Sequence, residues 1–372
     1  MGRKSKKTKG YCSIGKAFIR YLKSDETIDL SSSEFDNIEY IGTGAFLANA
    51  KAKKAILPKN VKNIAPIYYN SYADNNYIYG LEKIEFYDKD LNKYVDLHDV
   101  CISDNRTKYQ ENFINNYYES FLFTNLCESI TDDYIKKIFE QCDIRCIDST
   151  VSTEYTPWEE YQIVRKIYKY IGQNYNIYKD GPGSSINFKS ELLIHHGIVC
   201  FQFAWMFNRF CDVAGITCTD VAGGGHRWNN VKIGDKWFNV DCCWTWNHSL
   251  RRFLTSDDVA KDDSGDHTKK PEYSHIKCTT QIGDVNQDGY INSIDASLIL
   301  DAYSSSSSSN QNNNLSSFEM VLCDVDRDGY VNSIDASWVL SYYSYIQTNK
   351  TAEVPSIEQY MFDNGYHTYF VY

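Results

Sequence analysis

Between Pro157 and Tyr175, apolar side chains recur at Trp158, Tyr161, Ile163, Val164, Ile167, Tyr168 and Ile171. That spacing predicts a helix with one buried face, and proline is tolerated at its first position. From Cys200 to Ala214 the pattern changes. Phe201, Phe203, Ala204, Trp205, Met206, Phe207 and Phe210 leave almost no polar face, which predicts a buried helix that Gly215 stops. After Gly223-Gly-Gly, which lets the chain approach its neighbours closely, the period shortens to two. Two alternating stretches meet at Gly234-Asp235, a hairpin signal. With Ile233 opposite Lys236, Val231, Ile233, Phe238 and Val240 share the core face. His226, Trp228, Trp237, Asn239 and Asp241 share the other.

The flanks read differently. In residues 1–150, Ile64 to Tyr94 alternates in a strand-like way and Asn112 to Phe139 has helical spacing, but no chemistry-bearing motif stands out. This region is an extension of the next domain or a separate accessory domain. Near the C-terminus, Gly283-Asp-Val-Asn-Gln-Asp-Gly-Tyr-Ile-Asn-Ser-Ile-Asp-Ala-Ser returns 40 residues later from Cys323. Helical stretches follow the copies at Ala296 to Ala302 and Ala336 to Tyr345, with no strong helix leading into either. Ser304 to Asn314, rich in Ser, Asn and Gln, reads as a solvated connector. The expected divisions are therefore 1–150, 151–275, 281–346 and a tail, 347–372.

A chain of 372 residues with 42% hydrophobic side chains can bury two or three cores. Its net charge of −11 argues against nucleic acid and anionic membrane surfaces as partners. Most of that charge is local, because residues 283–346 hold nine acids and one base. No run of 18 apolar residues marks a membrane span. The basic start lacks an apolar stretch behind it, since Lys16, Arg20 and Lys23 interrupt, so no export signal is visible; a trimmed or truncated chain looks the same. The 12 cysteines include no Cys-x-x-Cys pair, which argues against structural zinc. They are also too sparse for a disulfide scaffold, and Cys211, Cys218, Cys242 and Cys243 read as small buried hydrophobes.

Cys200 is different because it opens the buried helix. The positive end of a helix lowers a thiol pKa, and a nearby imidazole lowers it further. His226 and Asp241 fall as diagonal neighbours on one hairpin face, within reach of each other. There the carboxylate would fix the imidazole's tautomer, and N–H groups at the helix start would supply part of an oxyanion hole. In order, Gly197-Ile-Val-Cys200-Phe-Gln-Phe-Ala204, Gly225-His226-Arg-Trp-Asn229-Asn-Val231 and Gly234-Asp-Lys-Trp237-Phe-Asn-Val-Asp241 resemble the transglutaminase-like (papain-like) superfamily. Ser184 to Leu193, Trp244-Thr-Trp and Phe253-Leu-Thr-Ser-Asp extend the resemblance. It implies an α+β catalytic core with Cys200 as nucleophile, His226 as base and Asp241 as orienter, needing no cofactor. Arg227 stands where the family commonly has a small residue, on the hairpin's opposite face.

The repeats place oxygen donors at loop positions 1, 3, 5, 7, 9 and 12 around a glycine at 6, the spacing that wraps a hard cation. The first offers Asp284, Asn286, Asp288, the Tyr290 carbonyl, Asn292 and Asp295; the second offers Asp324, Asp326, Asp328, the Tyr330 carbonyl, Asn332 and Asp335. With Asp at position 12 and a loop-helix repeat, residues 281–346 resemble a type I-like dockerin of cellulosomal proteins. The resemblance implies a small all-α module with two EF-hand-like repeats and two calcium ions, which it needs in order to fold. It also implies an extracellular, cellulosome-associated protein whose partner is a cohesin of a scaffoldin. Ser293-Ile294 and Ser333-Ile334 would help choose that cohesin, and their near identity would allow two symmetry-related orientations.

Three functions compete on sequence. One is a thiol enzyme acting on amide bonds of protein or peptide through an acyl-enzyme, with peptidase or amidase action favoured and transglutaminase action also open. The others are an idle transglutaminase-like binding module and a carbohydrate-active enzyme with its site in residues 1–150.

Overall fold

The structure, a computed structural model, describes residues 7–8, 11–42, 45, 51–64, 81–117, 125–145, 154–175, 199–243, 250–261, 273–307, 315–349 and 354–366. It mixes helix and sheet in an α+β arrangement. Described residues up to 138 form one compact unit and those from 139 onward form another. Ser184 to Leu193 and Trp244-Thr-Trp, named above, lie outside the described residues.

The first unit contains β1 (Lys7–Thr8), β2 (Tyr11–Ile14), β3 (Ala17–Tyr21), β4 (Thr27–Asp29), β5 (Tyr40–Ile41), β6 (Lys54–Ile56), β7 (Asn63–Ile64), β8 (Lys83–Asp88) and β9 (Lys93–Asp96). From β3 to β8 the chain alternates between two sheets and adds each strand parallel to its predecessor in that sheet. This is the winding of a solenoid. Register stacks Phe18 on Ile41 on Ile64 in one sheet and Ile28 on Ala55 on Ile84 in the other, and all six are buried. Helices α1 (Leu97–Ile102) and α2 (Lys108–Tyr117) follow, then α3 (Asn125–Gln141). The strand-like stretch expected from Ile64 to Tyr94 is seen as β8 and β9 in its described part.

In the second unit, α4 (Pro157–Asn174) begins at a capping box in which Thr156 and Glu159 satisfy each other's backbone N–H groups. It buries Tyr161, Ile163, Val164, Ile167, Tyr168 and Ile171. Helix α5 (Cys200–Ala214) ends at Gly215, whose φ of 78° is the left-handed conformation glycine adopts freely. Phe203, Met206, Phe207 and Phe210 are fully buried, and each such side chain contributes roughly 1.5–3 kcal/mol of transfer free energy.

Against α5 lies an antiparallel sheet of β10 (Cys218–Gly223), β11 (His226–Ile233), β12 (Lys236–Val240) and β13 (Phe253–Thr255). The hairpin register is Ile233 opposite Lys236, as the alternation predicts. Helix α6 (Asp257–Lys261) follows β13. The remainder is helical: α7 (Ser293–Ser307), α8 (Ser317–Cys323), α9 (Ser333–Thr348) and α10 (Ile357–Asp363). Two expectations need correcting here. A helix does lead into the second repeat, because Ser316 and Glu319 form a capping box and Val321, Leu322 and Cys323 are buried. The serine-rich connector also begins as helix, since α7 continues through Ser307. Among the described residues, no helix is long and apolar enough to cross a membrane.

Candidate functional site

Cys200 is the first residue of α5, so the positive end of that helix falls on its half-buried sulfur. Gln202 fixes this start: its side-chain oxygen accepts the Val199 N–H at 2.8 Å, and the glutamine is itself buried. On the facing strand, His226 opens β11, and Asp241 follows the last residue of β12; both are buried. His226 Nε2 donates to Asp241 Oδ2 at 2.9 Å. The hairpin register therefore brings the imidazole and carboxylate together, and Cys200 interacts with the same ring.

The electrostatics follow from these contacts. Burial pushes the Cys200 thiol up, but the His226 hydrogen bond and charge, with the N–H groups of Arg227 and Phe201, bring it below its ordinary value. For His226, burial disfavours the charged ring, yet hydrogen bonds and charge from Asp241 and Cys200 outweigh it and raise the pKa to about 9. Thiolate and imidazolium each favour the other's charged state. By contrast, burial drives the thiols of Cys211, Cys278 and Cys323 upward. Cys242 and Cys243 are buried and Cys218 is half-buried.

Sequence reasoning missed Arg252. Its Nη1 reaches Asp241 Oδ2 at 3.2 Å, while the Cys243 N–H donates to Asp241 Oδ1 at 3.0 Å, so both carboxylate oxygens are held. The arginine sits just before β13, and no local spacing ties it to Asp241. Also unforeseen was a buried polar network on the hairpin's second face. Asn239 Oδ1 accepts from the Trp228 indole at 3.2 Å and from Asn230 at 2.9 Å, and its amide donates to Asp257 Oδ1 at 2.9 Å. Trp228 stacks on His226 with ring centroids 6.1 Å apart. On the core face, Asn229 donates to the Ala204 carbonyl at 2.9 Å, fastening β11 to α5. Arg227 points away, paired with Asp220 at 3.2 Å on the surface.

The two repeats share most of one hydrogen-bond pattern and differ at position 1, where Asp284 Oδ1 accepts from the Asp288 N–H at 3.1 Å. In the first, Asp295 Oδ1 accepts from the Val285 N–H at 2.8 Å and Oδ2 from the Asn292 N–H at 2.9 Å; Asp335 does the same with Val325 and Asn332 at the same distances. Asp284 Oδ2 accepts from Gly289, and Asp324 Oδ2 from Gly329. The donor sets thus curl as the spacing requires, with Asn286, Asp288, the Tyr290 carbonyl and Asn292 in one loop and Asp326, Asp328, the Tyr330 carbonyl and Asn332 in the other. The second set fits a hard cation on two counts. Carboxylate oxygens of Asp324, Asp326 and Asp328 lie within 4.8 Å of one another. Moreover, Asp324 Oδ1 is buried with no hydrogen-bond partner. Burial, with the charges of Asp324 and Asp326, pushes Asp335 up to about 8, a crowding that a divalent ion would offset.

Ser293-Ile294 and Ser333-Ile334 lie exposed at the starts of α7 and α9. Ile294 is 55% exposed and Ile334 53%, and the exposed pairs Tyr290/Tyr330 and Leu300/Leu340 repeat the equivalence. Two like surfaces are presented.

Residues 282–344 match the family model of the Dockerin type I domain, whereas the residues before them match no transglutaminase-like family model. No curated protein matches the chain. Dockerin type I domains generally bind calcium, and the match supports cohesin-dependent docking into a cellulosome, which is extracellular.

Proposed function

We propose that Cys200, His226 and Asp241 form a thiol acyl-transfer site for amide bonds of protein or peptide, brought into a cellulosome by the dockerin. The observation that carries this reading is the buried 2.9 Å contact of His226 with Asp241, beside a helix-start thiol held below its ordinary pKa. A structural cysteine in an apolar core would be driven the other way.

In the reaction the Cys200 thiolate attacks the amide carbon, and the new C–S bond forms as negative charge moves to oxygen. Helix-start N–H groups, that of Cys200 among them, would supply part of the stabilisation of that charge. Collapse breaks the C–N bond, and His226 gives its proton to the departing amine. Water then attacks the thioester, His226 takes the proton, and Cys200 leaves as thiolate. An amine in place of water yields transamidation from the same intermediate. Hydrolysis is the favoured outcome by analogy with secreted bacterial members of the resembling superfamily. Asp241 holds the imidazole in register and stabilises its cation throughout.

In the dockerin the two loops would each hold one calcium ion, which supplies a charge centre that folds the loop around it. The exposed Ser-Ile pairs would meet the cohesin. The test of the enzyme reading is iodoacetamide labelling at pH 7 mapped by peptide mass, with proteolysis and amine-incorporation assays and Cys200→Ala as control. Selective labelling of Cys200 together with turnover that Cys200→Ala abolishes is expected. If Cys200 reacts no faster than the half-buried Cys142 and Cys218, the reading fails.

A further inference from the structure

The two calcium loops are nearly identical in sequence, yet the fold treats them differently. In the first, Asn286, Asp288, Gly289 and Tyr290 are all exposed. In the second, Asp324, Asp326, Arg327 and Gly329 are buried. One face of α4 covers that second loop. Tyr161 donates from its hydroxyl to Asp324 Oδ2 at 2.7 Å, Gln162 Nε2 to the Gly329 carbonyl at 2.9 Å, and Arg165 Nε to the Arg327 carbonyl at 2.8 Å. At the head of the helix, the Trp158 N–H donates to Ser317 Oγ at 3.0 Å. From the C-terminal side, the Tyr366 hydroxyl donates to the Asp326 carbonyl at 2.9 Å. The loop glycines show the same asymmetry: a Cβ at Gly289 would meet nothing within 4 Å, whereas one at Gly329 would lie 2.7 Å from the Arg165 guanidinium.

Tyr161 acts on a specific atom. Its hydroxyl and the Gly329 N–H both engage Asp324 Oδ2, and the carboxylate's other oxygen, Oδ1, is the buried atom without a partner. A buried carboxylate oxygen held in that state is what a cation ligand looks like before the ion is counted, and residues that orient ligands tune affinity.

We propose that the second calcium loop is coupled through α4 to the fold that carries Cys200, His226 and Asp241, with Tyr161 positioning Asp324 for the cation, and that the first loop lacks this coupling. Calcium at the second loop then stabilises the whole unit, whereas calcium at the first stabilises only its own repeat. The inference stands on packing and does not depend on thiol chemistry.

The experiment uses the full chain with equal lesions at loop position 5, Asp288→Ala and Asp328→Ala. Unfolding of the unit is read from the unmasking of buried Cys211 to a thiol reagent, with and without calcium. At calcium 100-fold above the second site's Kd, the unmasked population should fall about 100-fold in wild type and in Asp288→Ala, and should not respond in Asp328→Ala. Equal responses of the two variants, or none in wild type, would overturn the proposal. In parallel, calorimetric calcium titration of Tyr161→Phe in the Asp288→Ala background should show about 10-fold weaker binding. In the Asp328→Ala background the same change should leave the first site's affinity unaltered. Should Tyr161→Phe not fold, Arg165→Met takes its place with the same two expectations. Unchanged affinity at the second site removes the positioning role.

Discussion

Arg252 Nη1 lies 3.2 Å from Asp241 Oδ2, the same oxygen that accepts from His226 Nε2 at 2.9 Å. The carboxylate is 1% exposed, so it sits between two cationic partners in a site from which water is nearly excluded. Arg252 holds that carboxylate in place beside His226 and offsets part of its charge. Arg252→Met removes one of these partners and leaves a buried charge less compensated. It should destabilise the second unit by about 3 kcal/mol, read by urea denaturation, with partial recovery in Arg252→Lys. A variant as stable as wild type would show that the contact carries no weight.

The pH dependence follows from Cys200, His226 and Asp241. His226 is raised from 6.5 to about 9, so the fold holds that proton more tightly than the unfolded chain does. Its contribution to stability is therefore complete below about 6.5 and is lost as pH rises through about 9. The Cys200 thiol is lowered, so the thiolate forms below the ordinary thiol range. Between the two lies the window of the thiolate–imidazolium pair. Turnover should fall above pH 9, when His226 no longer has a proton to give the leaving amine. In Asp241→Asn the charge that raises His226 is gone, and the alkaline limb should move to lower pH. A limb unmoved by that substitution would mean another group sets it.

The hairpin was legible because a period of two and a Gly-Asp turn leave one register, which alone decides that His226 and Asp241 share a face. The calcium loops were legible because their donors are consecutive in sequence. Arg252 was not, since its partner depends on how β13 returns beside β12. Tyr161 showed only as an apolar position on α4; its hydroxyl finds its partner 163 residues away. The solenoid was hidden by strands as short as two residues, too brief for periodicity. A recurrence was present all the same, at Phe18, Ile41 and Ile64, spaced 23 apart.

Ile294 and Ile334 occupy equivalent, half-exposed positions beside Ser293 and Ser333. Each would seat on a cohesin as a small apolar anchor, and either copy would serve. Ile294→Asp or Ile334→Asp alone should therefore weaken cohesin capture only a few-fold, whereas the double variant should lose it by more than 100-fold, since a charge buried in an apolar contact without a partner costs several kcal/mol. Biolayer interferometry with calcium present separates these outcomes. Full loss in either single variant would mean that one surface alone binds.

Arg327 and Glu358 form an ion pair of 2.9 Å in which both side chains are 1% exposed. The pair ties the second loop to α10, and Arg327 also reaches the Leu254 carbonyl in β13 at 3.4 Å. Its satisfaction is incomplete, because Arg327 Nε and Glu358 Oε2 are buried without hydrogen-bond partners. Such a pair gives little net stability over an apolar replacement, yet removing one member strands the other's charge. Glu358→Met or Arg327→Met alone should each cost about 3–5 kcal/mol. The double variant should recover most of that loss, because no charge is then left buried. A double-mutant cycle by thermal denaturation in saturating calcium measures the coupling. If the losses simply add, the two residues act independently and the pair does not hold α10 to the loop.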